Sequence, residues 1–140
     1  MTTPATVPVA LIGGGNMTRA LIGGLLRQGM DPTLITVAEP NEATRTALER
    51  DFGIATTTDN AAAIARARVV VLAVKPQIIA TVARALAPAL QAWRPLVISV
   101  AAGIRAAALS SWVGASVPLV RAMPNRPRPG RRGCDWPVCQ

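Results

Sequence analysis

The feature that most constrains this chain is an apolar run that ends in Gly13-Gly14-Gly15 and continues into an amphipathic segment. This order predicts a buried strand, a tight turn and a helix. The free N–H groups and the positive dipole end of such a helix favour a diphosphate. Gly13 would permit the sharp turn, and Gly15 would let the backbone come close to the phosphates. We therefore predict a dinucleotide-binding turn, with an ordinary glycine-rich turn as the competing interpretation.

The dinucleotide-binding pattern G-x-G-x-x-G/A is incomplete, because Thr18 occupies its third position. A small residue there allows the helix to pack closely on the strand. We expect the packing beneath a bound cofactor to differ slightly at this position.

A second candidate site residue is Glu39, which follows the predicted strand 34–38. In dinucleotide-binding folds an acidic residue about 20 positions after the glycines accepts hydrogen bonds from the adenosine ribose. Such a carboxylate would repel a 2′-phosphate, which favours NAD over NADP. The other interpretation is a carboxylate placed at the start of the next helix, where acidic groups are favourable. The sequence leaves both interpretations open.

The only lysine of the chain, Lys75, directly follows the strongest predicted strand, 69–74. Ligands bind beyond the carboxyl ends of the strands in open parallel sheets. A compact ammonium suits a phosphate or a ribose hydroxyl. We predict a functional role for Lys75, against the alternative of a solvated surface lysine.

Apolar segments alternate with helical patterns along the chain. The predicted strands are 7–12, 34–38, 54–56, 69–74, 96–100 and 118–122, and the predicted helices are 16–27, 41–51, 58–67, 77–86 and 104–112. Pro88 and Pro95 are predicted to frame a connection. The alternation predicts a doubly wound α/β domain with a parallel sheet and right-handed crossovers. A strand order of 3-2-1-4-5-6 would place the glycine turn and Lys75 at one crevice.

The composition agrees with one packed domain and limits the partners. The 140 residues are 51% hydrophobic and 3% aromatic, so the core must consist of Val, Ile, Leu and Ala. The net charge of +8 is compatible with a phosphate-rich partner. Because no aromatic residues are interleaved with the basic ones, we expect a solvated surface and no nucleic-acid partner.

Other classes of protein are disfavoured by features that the sequence lacks. Residues 1–4 have neither a basic start nor a long apolar run, so we expect no signal peptide. No stretch of about 18 residues is free of Gly and Arg, so we expect no membrane span. Cys134 and Cys139 match no zinc or redox spacing, and the chain has no histidine, so we expect no metal. These features predict a cytoplasmic protein.

Four segments together resemble pyrroline-5-carboxylate reductases, over residues 7 to about 125. They are Ile12-Gly13-Gly14-Gly15-Asn16-Met17, Ala73-Val74-Lys75-Pro76-Gln77, Ser99-Val100-Ala101-Ala102-Gly103-Ile104 and Val120-Arg121-Ala122-Met123-Pro124-Asn125. Their order and spacing make this a more specific match than one glycine turn. The resemblance implies a Rossmann domain over residues 1–125 that binds NADP or NAD. It also implies reduction of the C=N bond of 1-pyrroline-5-carboxylate to L-proline by a homo-oligomer.

The resemblance also assigns the cofactor-binding residues. Those carried over are Ile12, Gly13, Gly14, Gly15, Asn16, Met17, Asn60, Ala73, Val74, Lys75, Pro76, Val100, Ala101 and Ala102, beside Glu39. Hydride transfer to a protonated imine needs no side-chain nucleophile, because the cofactor carries the reaction and the protein positions it. We therefore assign no catalytic residue in this chain.

The resemblance ends at residue 126. The family continues with Met-Pro-Asn-Thr-Pro, a Val-Gly-Ala-Gly-like stretch and a helical dimerisation domain, whereas residues 126–140 are rich in Arg, Pro and Gly. One codon string that would encode residues 130–138 is GGT CGG CGC GGG TGC GAC TGG CCT GTG. Shifted by one base it encodes Val-Gly-Ala-Gly-Ala-Thr-Gly-Leu, the family's continuation. We predict a frameshifted, disordered tail without the helical domain, and resequencing of the coding DNA tests this.

Two alternative functions remain. One is a different NAD(P) oxidoreductase, of the 6-phosphogluconate or coenzyme F420 type. The other is a non-catalytic module that binds a dinucleotide, or nucleic acid through the basic tail. Substrate screening would distinguish the other oxidoreductases from a pyrroline-5-carboxylate reductase. A salt-dependent gel shift that is lost on deletion of residues 126–140 would identify a nucleic-acid-binding module.

Overall fold

The computed structural model describes residues 7–65, 67–101 and 103–122. Those residues form six strands, five α-helices and one 3-10 helix, Pro32–Leu34. The strands are β1 (Val9–Ile12), β2 (Ile35–Ala38), β3 (Ala55–Thr57), β4 (Val69–Leu72), β5 (Leu96–Ser99) and β6 (Leu119–Arg121). The α-helices are α1 (Asn16–Arg27), α2 (Glu42–Phe52), α3 (Asn60–Ile64), α4 (Pro76–Trp93) and α5 (Ala106–Val113).

The six strands form one parallel sheet in the order β3-β2-β1-β4-β5-β6. This order confirms the predicted doubly wound α/β fold. The strand order reverses between β1 and β4, which are neighbours in the sheet although β2 and β3 intervene in the sequence. A crevice therefore opens beyond the carboxyl ends of β1 and β4.

Both faces of the sheet are covered, which explains why the strands show no alternation of polar and apolar residues. In β1, Ala10 and Ile12 belong to one buried cluster, and Val9 and Leu11 belong to the other. The first cluster includes residues of α3, α4 and α5, and the second includes residues of α1 and α2. The central strand therefore lies between two helical layers.

The helix ends follow local chemistry. The side chain of Asn41 accepts a hydrogen bond from the backbone N–H of Thr44 and begins α2. The side chain of Asp59 caps α3 through the N–H of Ala61. Gly53 ends α2 in the left-handed conformation, with φ of 69°, where a side chain would be strained.

The predicted connection around Pro88 is wrong, because α4 continues through this residue to Trp93. A proline in a helix loses one backbone hydrogen bond and usually kinks the helix. Pro88 is exposed, whereas Leu86 and Leu90 on either side of it are buried in the core. Burial of these leucines outweighs the lost bond. The predicted helix 58–67 is also too long, since α3 ends at Ile64.

Two further predictions concern a membrane span and the C-terminal tail. Among the helices of the described residues, none has the length and apolar character needed to cross a bilayer. The predicted out-of-frame tail, 126–140, lies outside the described residues.

Candidate functional site: the glycine turn and the crevice beyond β1 and β4

The first glycine of the turn is required by its backbone and by its neighbours. Gly13 follows β1, has φ of 102°, and donates its N–H to the carbonyl of Ala38 at 2.8 Å. A Cβ at this position would lie 3.0 Å from the carbonyl oxygen of Ala73 and 3.1 Å from a methyl of Val74. Only glycine adopts this conformation without strain and leaves space for the neighbouring loop.

The second glycine lies against the predicted acidic residue. The N–H of Gly14 donates a 2.8 Å hydrogen bond to Oε1 of Glu39. A Cβ on Gly14 would lie 3.1 Å both from this oxygen and from Cδ1 of Leu48. A side chain at position 14 would therefore require the side chains of Glu39 and Leu48 to shift by a few tenths of an ångström.

The third glycine differs from the other two, because it lies beside open space. A Cβ on Gly15 would meet no atom of the described residues within 4 Å. Gly15 is the residue that begins α1, and in the described part of the chain no side chain caps that helix. The first turn of α1 contains no acidic residue. A helix start with unpaired N–H groups and open space in front of it can receive an anionic group.

Thr18 lies beneath this turn and is fully buried. Its hydroxyl donates a hydrogen bond to the carbonyl oxygen of Gly13. Thr18, at the third position of the dinucleotide-binding pattern, therefore contributes a polar contact to the turn. A glycine or alanine there would only permit close packing. The sequence predicted that packing at Thr18 would differ from the usual pattern, and the difference is the hydrogen bond to Gly13.

Glu39 contacts both the glycine turn and the start of α2. Its Oε1 accepts from the N–H of Gly14, and its Oε2 accepts from the N–H of Asn41 at 2.9 Å. The cap of α2 itself is the Asn41 side chain. An ionised carboxylate has about four lone-pair positions, so these two bonds leave acceptor capacity for a ligand.

A crevice of about 420 Å³ lies beyond the carboxyl ends of β1, β2 and β4. Its size is in the range of ordinary ligand sites. Nine of the predicted site residues line it: Ile12, Gly13, Gly14, Gly15, Glu39, Asn60, Ala73, Val74 and Lys75. The predicted juxtaposition of the glycine turn with Lys75 is therefore present.

The remaining predicted site residues are placed differently. Asn16, Met17, Pro76, Val100 and Ala101 do not line this crevice, and Ala102 lies outside the described residues. Asn16 begins α1 and Pro76 begins α4, so both lie next to residues that do line it. Ala101 is buried in the core beside the helices of one face.

Lys75 lies directly before α4, in an extended conformation, and its side chain does not cap the helix. It is exposed, and it brings a positive charge to a crevice whose wall also carries the Glu39 carboxylate. The two charges come from different strands, β2 and β4. The crevice can therefore contact a ligand with both acceptor and donor groups.

Four lining residues were missed by the sequence analysis: Ala38, Pro40, Ile78 and Val82. Ala38 and Pro40 are the sequence neighbours of Glu39, so the prediction of a site at the end of β2 could have included them. Ile78 and Val82 are one helical turn apart in α4, and this spacing after Lys75 was the available signal. The side chain of Ile78 is 48% exposed and lines the crevice, so it forms part of an apolar wall.

A short ionic contact joins α1 to α2 next to the turn. Nη2 of Arg19 lies 2.5 Å from Oδ2 of Asp51, and the Arg19 guanidinium also lies over the ring of Phe52. The hydrogen bond from Arg19, followed by that from Arg50, lowers the pKa of Asp51 below its usual value of 3.8. These contacts fix the position of the helix that begins at the glycine turn.

The described residues contain no group of three or more His, Cys, Asp or Glu side chains that could hold a metal ion. The crevice presents the glycine turn, the side chains of Glu39, Asn60 and Lys75, and an apolar wall.

Curated relatives agree with the resemblance drawn from the four motifs. The chain is 45% identical over 135 residues to the pyrroline-5-carboxylate reductase of Pseudomonas aeruginosa, covering 96% of this chain and 48% of the relative. It is 48% identical over 119 residues to the pyrroline-5-carboxylate reductase of Vibrio alginolyticus, covering 85% of this chain and 43% of the relative. The chain thus spans about half the length of these relatives.

A solved structure shows the same similarity in three dimensions. The fold superposes on a pyrroline-5-carboxylate reductase from Coxiella burnetii with a TM-score of 0.83 and 39% identity, covering 88% of this chain and 46% of that one. The family described as "NADP oxidoreductase coenzyme F420-dependent" matches residues 8–103, which include the glycine turn, Glu39 and Lys75. By this match, the chain belongs to the NADP oxidoreductase, coenzyme F420-dependent, family.

Proposed function

We propose that residues 1–125 act as a dinucleotide-binding domain whose cofactor is NADP or NAD. The observation that carries this proposal is the open space in front of Gly15 at the uncapped start of α1. Gly13 and Gly14 are crowded by protein atoms, whereas the space beside Gly15 is free for a ligand. The family match over residues 8–103 supports the same assignment.

The residues around this turn have complementary roles in the proposed site. Backbone N–H groups at the start of α1 would hold the diphosphate, helped by the positive end of the helix dipole. Glu39 would accept hydrogen bonds from the adenosine ribose, and Asn60 lines the same crevice. Lys75, on the β4 side, would contact a phosphate or a ribose hydroxyl.

We propose that the complete activity is reduction of 1-pyrroline-5-carboxylate to L-proline, and the relatives named pyrroline-5-carboxylate reductases support this. A reduced nicotinamide, when bound, would supply the hydride. The residues that line the crevice would bind and orient the cofactor, and Ile78 and Val82 would give it an apolar wall. No side chain of this chain is assigned as a proton donor.

The length of the relatives bears on where substrate binds. This chain spans about half of each, so we place much of the substrate site and the homo-oligomer contact in residues beyond those of this chain. We expect the 140-residue chain to bind the dinucleotide and to show weak reductase activity or none. Residues 126–140 are not part of the proposed domain.

Titration calorimetry of the purified chain with NADH and with NADPH tests the binding proposal. We expect one or both to bind with saturable affinity, and Gly15→Ala to weaken this binding. Absence of binding by both nucleotides would overturn the proposal.

Measurement of proline formation from 1-pyrroline-5-carboxylate and reduced cofactor tests the proposed reductase activity. Little or no product is expected from the chain as it stands, and substantial turnover would contradict the division of the substrate site. Oxidised coenzyme F420 is the comparison substrate, because the family description includes it. Its reduction in place of the imine would favour the alternative oxidoreductase.

A further inference from the structure

One of the two backbone donors that hold the Glu39 carboxylate belongs to the peptide that joins Pro40 to Asn41. Its N–H donates to Oε2 of Glu39 at 2.9 Å. Its carbonyl oxygen accepts from Nη1 of Arg45 at 2.8 Å. Because a peptide is planar, the N–H and the C=O cannot turn independently. The guanidinium of Arg45 therefore acts on the carboxylate of Glu39 through this peptide.

Arg45 also binds the preceding carbonyl. Its Nη1 donates to the carbonyl oxygen of Glu39 at 2.9 Å. The two N–H groups of Nη1 thus hold two successive carbonyls of the segment between β2 and α2. The bond to the Glu39 carbonyl is partly buried, whereas the bond to the Pro40 carbonyl is exposed. The segment that carries Glu39 has little freedom to move.

The carboxylate is held from the other side as well. Oε1 of Glu39 accepts from the N–H of Gly14 at 2.8 Å. Each oxygen therefore has one backbone donor, from a different part of the chain. Turning the carboxylate away from the crevice would break both bonds, and each break would leave a backbone N–H in need of another acceptor.

We infer that Arg45 is a positioning residue that makes this site select a dinucleotide without a 2′-phosphate, by holding the Glu39 carboxylate in the crevice. The inference rests on the proposed function, since it assumes that the adenosine ribose lies beside Glu39. A phosphate on the ribose would meet a fixed negative charge, whereas a hydroxyl would meet a hydrogen-bond acceptor. The selected ligand is NADH in preference to NADPH.

Arg45 would instead favour NADPH over NADH if its guanidinium bound the 2′-phosphate directly. The two roles make opposite predictions for one variant. With a positioning role, Arg45→Met frees the peptide, lets Glu39 turn away and makes NADPH more acceptable. With a phosphate-binding role, Arg45→Met weakens NADPH selectively. A purely structural role lowers both affinities in parallel and leaves their ratio unchanged.

The test is calorimetric titration of the full chain with NADH and NADPH, expressed as the ratio of the NADPH to the NADH dissociation constant. We expect a ratio above one for the unchanged chain. Arg45→Met should lower the ratio by about fivefold, the factor that one hydrogen bond contributes. Arg45→Lys retains a cationic donor and should give an intermediate ratio. Glu39→Gln removes the charge and should also lower the ratio.

The matched control is Arg50→Met, in the same helix. Arg50 is exposed and contacts Asp51 at 3.2 Å, away from the β2–α2 segment. Its removal should leave the ratio unchanged. Thermal melting of each variant establishes that it is folded.

The outcomes separate the inference from the proposed function. If both nucleotides bind with a ratio at or below one, or if Arg45→Met raises the ratio or leaves it unchanged, the inference is overturned and dinucleotide binding stands. An unchanged ratio in Glu39→Gln also overturns the inference. If neither nucleotide binds to the unchanged chain, both fail.

Discussion

The hydroxyl of Thr18 donates a hydrogen bond to the carbonyl oxygen of Gly13, and Thr18 is fully buried. This bond links the first turn of α1 to the end of β1, directly beneath the proposed diphosphate position. A buried carbonyl without a partner is costly, so the contact bears on stability as well as on the shape of the turn.

Thr18→Val tests this contact, because valine keeps the branched shape and removes the hydroxyl. We expect the free energy of unfolding to fall by about 1–3 kcal/mol, since the Gly13 carbonyl would be buried without its partner. Urea denaturation measures the change. Thr18→Ser keeps the hydroxyl, and its loss should be only about 1 kcal/mol, from the missing methyl group. Equal losses in the two variants would show that the hydrogen bond contributes nothing.

Gly15→Ala and Gly13→Ala should have contrasting effects. At Gly15 the added methyl enters open space, so stability should fall by no more than about 1 kcal/mol, the cost of a poorer helix-start residue. Nucleotide affinity should fall by roughly tenfold, because the methyl occupies the proposed diphosphate position. Calorimetric titration measures the affinity, and urea denaturation measures the stability.

Gly13→Ala, by contrast, places a Cβ at φ of 102° and 3.0 Å from the Ala73 carbonyl oxygen. We expect a loss of roughly 1–3 kcal/mol in the free energy of unfolding. If Gly15→Ala binds nucleotide as tightly as the unchanged chain, the turn is not the diphosphate site.

Lys75→Met should weaken nucleotide binding without altering the melting temperature, because the side chain is exposed and lines the crevice. We expect about a three- to tenfold loss of affinity at low salt. The loss should shrink as salt is added, since screening weakens the charge interaction in the unchanged chain.

The matched control for Lys75 is Arg105→Met. Arg105 directly precedes α5, as Lys75 precedes α4, and neither side chain caps its helix. Arg105 does not line the crevice. Similar losses in both variants would indicate a general effect of net charge instead of a specific contact.

Arg19→Met should raise the pKa of Asp51 toward 3.8, because the hydrogen bond from Arg19 is the largest cause of its lowered value. Arg50 would maintain part of the shift. Carbon-detected NMR titration of the carboxyl groups measures it. Asp31 is the internal control, since Thr33 lowers its pKa and Arg19 does not contact it.

The sign of the pH effect follows from the direction of this shift. A lowered pKa in the folded state means that the Asp51 contact stabilises the fold above pH 3.8, and that this contribution is lost as the pH falls through the folded-state pKa. The unchanged chain should therefore lose more stability on acidification than Arg19→Met. Identical acid profiles would contradict a stabilising contact.

Apolar patterning was enough to predict the fold class and the place of the site. The continuous apolar run 69–72 indicated a strand buried on both faces, and Gly13 adopts a positive φ that few other residues permit. The strand order then brings Gly13 and Lys75 to one crevice, as expected for a doubly wound sheet.

Local pattern was a poorer guide where burial competed with propensity. Pro88 indicated a break, yet α4 continues because its neighbours Leu86 and Leu90 are buried. Propensity is a property of one residue, whereas burial depends on what the rest of the chain brings next to it. The helical spacing of the apolar residues Ile79, Ala83, Leu86 and Leu90 continues past Pro88 and was the available signal.

The contacts of Glu39 could not be predicted from its position in the sequence. Its spacing allowed either a ribose-binding carboxylate or a helix-start carboxylate, and in the fold it accepts from both Gly14 and Asn41. The link from Arg45 through the Pro40–Asn41 peptide was likewise invisible in the sequence. Such contacts join residues of separate elements, and their geometry is set by how the sheet and helices pack.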